Sequence, residues 1–113
     1  MKQKLIDILE TLGYDVSLQG SYAEGSELPD TFITFWNYDT EPIFYSNGVK
    51  RTIWVFRVFV YSNEPLLTNN VMKEACKLLR DNNFYVGGSY DIDSGVNGYT
   101  GREVEINYIE EEK

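Results

Sequence analysis

The sequence contains no histidine and only one cysteine, Cys76. Both shortages exclude particular kinds of catalytic, metal and disulfide site. Without imidazole the chain cannot form a Ser-His-Asp triad, a Cys-His pair or a histidine metal site. A single cysteine allows neither an internal disulfide nor a cysteine-rich zinc site, which is typical of a reducing compartment. We therefore expect Cys76 to be a small buried hydrophobe rather than a nucleophile.

Positive charge is also scarce. The sequence has ten Lys and Arg residues and eighteen Asp and Glu residues, which gives a net charge of −8. Duplex DNA and anionic membranes bind clustered cations, so neither is an expected partner. No apolar run approaches the roughly eighteen residues of a membrane span. The first thirteen residues, MKQKLIDILETLG, do not resemble a signal peptide. These features predict a soluble intracellular protein.

Hydrophobic periodicity predicts a single α+β domain over residues 1–113. The predicted helices are 2–12, ended by Gly13, and 65–82, which begins after a Ser62 or Asn63 cap with Pro65 in its first turn. The predicted strands lie at Val16–Leu18, 31–37, 51–61, 84–92 and 102–109. This order is typical of a mostly antiparallel β-sheet with two helices packed on one face.

The alternation of strand 51–61 divides its side chains between two faces. The expected core comprises Trp54, Phe56, Val58, Leu67, Val71, Ala75, Leu78, Val104 and Ile106. The opposite face of this strand carries Ile53, Val55, Arg57, Phe59 and Tyr61, and is too apolar for open solvent. We therefore expect something to cover it. The acidic tail 110–113 is expected to fray.

Residues 38–50 predict an extended β-hairpin arm, because Asn47-Gly48 suits a type I′ turn. Its apolar triplet Ile43-Phe44-Tyr45 has few partners in a monomer and would gain from burial against a neighbouring subunit.

Seventeen aromatic side chains are too many for one face of a small sheet. Several fall in or near predicted loops and the arm, namely Tyr22, Tyr38, Phe44, Tyr45, Tyr90 and Tyr99. Clustered aromatics favour a protein–protein surface, although scattered tyrosines in solvent are the alternative. The predicted interface residues are Tyr22, Tyr38, Ile43, Phe44 and Tyr45.

Other candidate sites favour plain structural interpretations. The segment 91–95 resembles the start of a calcium loop, but its twelfth position is Arg102 instead of a carboxylate, so we expect a surface turn. Glu103 and Glu105 share a strand face, which predicts a solvated pair rather than an acid and base. The glycine-containing segments match no phosphate-loop spacing. No catalytic residue, cofactor or metal is therefore predicted, and the chain is not expected to be an enzyme.

Five segments carry a resemblance to a family of phage and prophage proteins of Gram-positive bacteria, the head–tail joining and tail-completion group. They are 20–25 (GSYAEG), 28–37 (LPDTFITFWN), 59–62 (FVYS), 99–102 (YTGR) and 108–110 (YIE). The resemblance covers most of residues 20–110, and its motifs are structural rather than catalytic.

This resemblance implies a non-enzymatic virion component similar to tail terminators, which form a ring, often a hexamer, on the end of a tail tube. The implied partners are further copies of the chain, the tail tube protein and the head connector or stopper protein. The implied location is the head–tail junction of the virion, after assembly in the host cytoplasm. A small-molecule binding or regulatory module, using the second face of strand 51–61, is the alternative.

Overall fold

The computed structural model describes residues 1–19, 27–44 and 50–112. The two helices are α1 (Lys2–Glu10) and α2 (Pro65–Asp81). The six strands are β1 (Asp15–Leu18), β2 (Thr31–Phe44), β3 (Lys50–Ser62), β4 (Tyr85–Val86), β5 (Tyr90–Ile92) and β6 (Thr100–Glu112). The predicted α+β class is confirmed.

All six strands belong to one sheet, with the order β1-β2-β3-β6-β4 and with β5 also paired to β6. Only β1 and β2 run parallel, while every other pair is antiparallel. Helix α2 packs on β3 and β6, and α1 packs on α2 and β1. Both helices therefore cover the same face, and we call the opposite face the outer face.

The core lies between the helices and the sheet. Phe35 and Phe56 are completely buried there and meet edge to face, with ring centroids 6.1 Å apart. Six of the nine predicted core residues are buried in this cluster: Phe56, Val58, Val71, Ala75, Val104 and Ile106. Trp54 and Leu67 pack against it half-buried. The predicted face of strand 51–61 is therefore confirmed.

The prediction of Leu78 as a core residue is wrong. Leu78 is half-buried and lines the cleft between the two helices beside Ile8, whereas its neighbour Leu79 is completely buried. The buried residues of α2 are Thr68, Val71, Met72, Ala75, Cys76 and Leu79, so the buried face keeps Val71 and Ala75 of the predicted line but is centred nearer Met72 and Leu79. Since α1 packs alongside α2, the helix rotates so that Leu78 meets the helix–helix cleft instead of the sheet.

The helix ends match their sequence signals in part. Gly13 has a φ of +90°, the left-handed conformation that glycine adopts most easily after a helix. Pro65 occupies the first helical position as predicted, but the N-cap is Glu64 and no side chain caps it. The predicted Ser or Asn cap is therefore wrong, because Ser62 still belongs to β3 and its hydroxyl accepts a hydrogen bond from the Glu64 N–H.

The base of the outer face is covered, as the apolar second face of strand 51–61 led us to expect. Phe32, Phe59 and Tyr61 form a second buried cluster, over which Leu28, Ile92 and Tyr99 pack. Gly101 allows this closure, since a Cβ there would lie 3.0 Å from both Ile92 Cγ1 and Tyr61 Cε1. The cover comes from β5, from the segment before β2 and from Tyr99 immediately before β6.

Beyond this base the sheet continues as an arm, which we define as residues 39–44 of β2, 50–55 of β3 and 107–112 of β6. The predicted hairpin is confirmed, since β2 and β3 pair as far as Phe44 and Lys50. The Asn47-Gly48 turn lies outside the described residues. A third strand was not predicted: β6 pairs with β3 as far as Lys50 and Glu112.

The predicted fraying of the acidic tail is wrong for Glu110 to Glu112. These residues form the end of β6 opposite Lys50, Arg51 and Thr52. A 2.7 Å ion pair joins Arg51 Nη2 to Glu111 Oε1. Pairing with β3 satisfies backbone groups that a free tail would leave to water, so the acidic residues extend the sheet.

The rotation of α2 generates a testable difference between two adjacent leucines. Leu79→Ala should lower the free energy of unfolding by about 2–5 kcal/mol, because it leaves a cavity in the core. Leu78→Ala, at a half-buried position, is the matched control and should cost less than about 1.5 kcal/mol. Urea denaturation of both variants measures the difference, and equal losses would contradict the observed orientation of α2.

Candidate protein-interaction face

Large apolar side chains lie exposed on the outer face between its covered base and the tip of the arm. We call this set the exposed apolar band, and it comprises the exposed Trp36, Tyr38, Tyr85, Tyr90 and Ile109 together with the half-buried Ile53 and Val55. Four of its aromatic side chains are about half-exposed or more: Trp36 (47%), Tyr38 (53%), Tyr85 (63%) and Tyr90 (49%). The strand register distributes them across the sheet: Trp36 lies opposite Arg57, Tyr90 opposite Glu103, and Tyr85 opposite Asn107, which in turn lies opposite Val55.

A β-bulge brings Tyr38 into the band. The register of β2 and β3 shifts between Asn37 and Asp39, so Tyr38 has no partner residue on β3. Its ring lies over the guanidinium of Arg57, 4.4 Å from ring centroid to Cζ. Such cation–π contacts contribute about 0.5–1 kcal/mol at exposed sites. The extra residue therefore redirects a tyrosine that regular alternation would have placed differently.

An ion pair lies beneath the aromatic side chains of the band. Arg57 Nη1 donates to Glu103 Oε1 at 2.9 Å, and Arg57 Nη2 lies 4.0 Å from Glu105 Oε1. The hydrogen bond to Glu103 raises the pKa of Arg57. The same carboxylate raises the pKa of the neighbouring Tyr90 phenol. Arg57 therefore stays charged and Tyr90 protonated across the physiological pH range.

The prediction of a solvated carboxylate pair is wrong for Glu103 and holds for Glu105. Glu103 is only 7% exposed, whereas Glu105 is exposed. The cause is β5, which pairs with β6 at residues 101–103 and brings Tyr90 opposite Glu103. Alternation along β6 gives the two residues the same face, but only the neighbouring strand decides which of them is covered. The two carboxylates therefore do not form a solvent-accessible acid–base pair.

Exposed acids border the band on the arm. Asp39 lies opposite Val55 and Glu41 opposite Ile53, so both carboxylates flank its apolar residues along the edge strand β2. Both side chains are exposed, and Asp39 Oδ1 accepts a hydrogen bond from the Thr40 N–H. An apolar centre with a charged rim is the usual composition of a protein–protein interface.

Two of the five predicted interface residues lie on this face. Tyr38 belongs to the band, and Ile43 lies half-buried opposite Arg51 near the tip of the arm. Phe44 ends β2 opposite Lys50. Tyr22 and Tyr45 lie outside the described residues. The sequence missed Trp36, Tyr85 and Ile109, although the alternation of the outer faces of β2 and β6 contained the signal for Trp36 and Ile109.

The remaining chemical candidates are engaged structurally. Cys76 is buried in the core as predicted, and burial raises the pKa of its thiol, which disfavours the nucleophilic thiolate. Asp91 Oδ1 accepts from Arg102 Nη1 at 2.6 Å, and Asp93 Oδ1 accepts from the Gly95 N–H. Within the described ranges, no group of three or more acidic or cysteine side chains is placed to hold a metal ion.

No protein-family model matches the sequence, and no curated protein is significantly similar to it. In the part of the chain that the structure describes, neither helix is long and apolar enough to cross a membrane.

The covered ion pair generates a matched pair of predictions. Glu103→Ala should lower the free energy of unfolding by about 1–3 kcal/mol, because it leaves the partly buried Arg57 without its closest acceptor. Glu105→Ala removes an exposed carboxylate from the same strand face and should change it by less than about 0.5 kcal/mol. Urea melts of the two variants test this, and a tolerated Glu103→Ala would show that the ion pair contributes little.

Proposed function

We propose that this chain is a non-enzymatic phage structural protein that acts in tail completion, as a terminator at the head–tail junction. It self-associates into a ring and docks to the tail tube and to the head connector. The observation that carries the proposal is the exposed apolar band on the outer face.

The band is too apolar to be a typical solvent surface. Single exposed apolar residues are ordinary, but several large aromatic side chains exposed on one face of a sheet favour a binding surface. Tyr, Trp and Arg are the residues that contribute most to binding energy at interfaces. Trp36, Tyr38 and Arg57 are all present here, and the ion pair of Arg57 holds its guanidinium under the Tyr38 ring.

The shape of the molecule also supports assembly. Its dimensions are 53 × 28 × 22 Å and its radius of gyration is 15.3 Å, whereas a compact domain of this length has about 13 Å. Strands of thirteen residues extend about 43 Å, but the seventeen residues of α2 cover only about 25 Å of them. The arm therefore projects beyond the helices, where it can reach an adjacent subunit.

A contact between the arm and a different surface of the next copy is heterologous, and such contacts close into rings when the rotation fits. The net charge of −8 suits a ring around a channel for DNA, since an acidic wall does not retain phosphates. The small-molecule alternative receives no support from the base of the outer face, because Phe32, Phe59 and Tyr61 fill it.

We predict that Trp36→Asp combined with Tyr85→Asp leaves the fold intact and weakens self-association at least tenfold. Both side chains are about half-exposed or more in the monomer, so the introduced charges destabilise the assembled state more than the folded chain. Circular dichroism checks the fold, and sedimentation velocity over a range of protein concentrations measures association. In a phage deleted for the gene, this variant should give tails of uncontrolled length in electron micrographs.

The matched control is Leu18→Asp combined with Val96→Asp, which places the same two charges at apolar positions that are 42% exposed and lie outside the band. The control should assemble and complement like the parent chain. Normal tails from the band variant, or a parent chain that stays monomeric at every concentration, would contradict the proposed function.

A further inference from the structure

The solvent side of α2 carries a line of three exposed cations, flanked on the same helix by the exposed acids Glu74 and Asp81. Lys73, Lys77 and Arg80 follow one another at four- and three-residue spacing and are exposed, which places them on one helical stripe. The chain has eight more acids than bases, yet none of the three forms an ion pair with any residue in the described ranges. Leu66 continues this stripe toward the start of the helix and is 82% exposed.

The arm carries the opposite charge without partners. Asp39 and Glu41 are exposed on the outer side of β2, and neither joins an ion pair among residues 1–19, 27–44 and 50–112. Between them and the centre of the sheet lie the half-buried Val55 and Ile53. The arm thus presents two acids beside an apolar surface, and α2 presents a line of cations that continues to an exposed leucine.

The spacings of the two charged pairs agree. Lys73 and Lys77 are four helical residues apart, which is about 6 Å along the axis at 1.5 Å per residue. Asp39 and Glu41 are two strand residues apart, which is about 6.6 Å at 3.3 Å per residue. A strand that lies along the helix can therefore bring both carboxylates opposite both ammonium groups at once.

We propose that, in the self-associated state on which the proposed function rests, the arm of one copy lies along α2 of a second copy. Asp39 and Glu41 of the arm face Lys73 and Lys77 of that copy. Each chain offers one arm and one α2, so the contact is heterologous and leaves both ends available for further copies.

Edge-to-edge pairing between the arms of two copies is less favourable than the contact between an arm and α2. The open edge of β2 carries Asp39, Glu41 and Pro42, and the end of β6 carries Glu110 and Glu111. Like charges repel, and proline lacks the N–H that a sheet hydrogen bond needs. Two arms therefore disfavour one another, whereas an arm and the cationic stripe of α2 attract.

Charge reversal tests the proposal in the full-length chain. Lys73→Glu with Lys77→Glu, and separately Asp39→Lys with Glu41→Lys, should each weaken self-association at least tenfold in sedimentation velocity. The chain with all four reversals should associate within about threefold of the parent chain, since opposite charges again face one another. An equimolar mixture of the two double variants should also associate, because each variant supplies the surface that fits the other.

The matched control is Glu10→Lys with Asp15→Lys, which changes the net charge as much as the arm variant does but at exposed acids outside the arm and α2. It should associate like the parent chain. For the parent chain, raising the salt from about 50 mM to about 500 mM should weaken association, because exposed ion pairs are screened.

These experiments distinguish failure of the arm–helix contact from failure of the proposed function. If charge reversals leave association unchanged while Trp36→Asp with Tyr85→Asp abolishes it, the proposed arm–helix contact is wrong and the proposed function stands. If both double variants weaken association and neither the fourfold variant nor the mixture restores it, the contact is again wrong. A parent chain that never associates overturns both proposals.

Discussion

Strand β3 is hydrogen-bonded to β2 on one side and to β6 on the other along its full thirteen residues, and the rest of the structure depends on this double pairing. Because side chains alternate along a strand, the pairing sorts the residues of all three strands between two faces. Val58 and Phe56 meet the helices, whereas Arg57 and Phe59 belong to the outer face. A register shift of one residue would exchange these two sets, so the buried core also holds the outer face in place.

The three long strands, β2, β3 and β6, are longer than the elements that cover them. Helix α2 spans roughly half the length of β3, β1 pairs with only four residues of β2, and β5 pairs with only three residues of β6. The outer face is therefore closed at its base by an aromatic cluster, and beside and beyond that cluster the exposed apolar band surrounds the Arg57–Glu103 ion pair. An isolated two-stranded ribbon is only marginally stable in water. The third strand, β6, stabilises the arm as a continuous part of the folded sheet. An apolar surface thus stays both ordered and accessible.

Much of the fold was predictable because it depends on local periodicity. The alternation of 51–61 and of 102–109 predicted the two faces of the sheet, and the apolar spacing at 65–82 predicted α2. The candidate site was predictable only in outline. An aromatic surplus indicated a protein–protein surface, and Tyr38 and Ile43 were placed on it, but the bulge that redirects Tyr38 depends on the pairing of β2 with β3. Alternation along residues 31–37 gave Trp36 the same face as Phe32, but only the tertiary structure left Trp36 half-exposed while burying Phe32.

The sequence by itself determined the composition of each face, the α+β class and the exclusion of imidazole chemistry, because these follow from residue types and their spacing. Tertiary structure alone decided which members of each face are covered. Leu78 and Leu79 are adjacent leucines, and Glu103 and Glu105 are equivalent in the alternation of β6, yet one of each pair is buried and the other is not. The difference comes from neighbours distant in sequence: the core between helices and sheet encloses Leu79 while Leu78 lies at the open cleft beside α1, and β5 covers Glu103. Local periodicity sets the direction of a side chain, but burial depends on what packs against it from elsewhere in the chain.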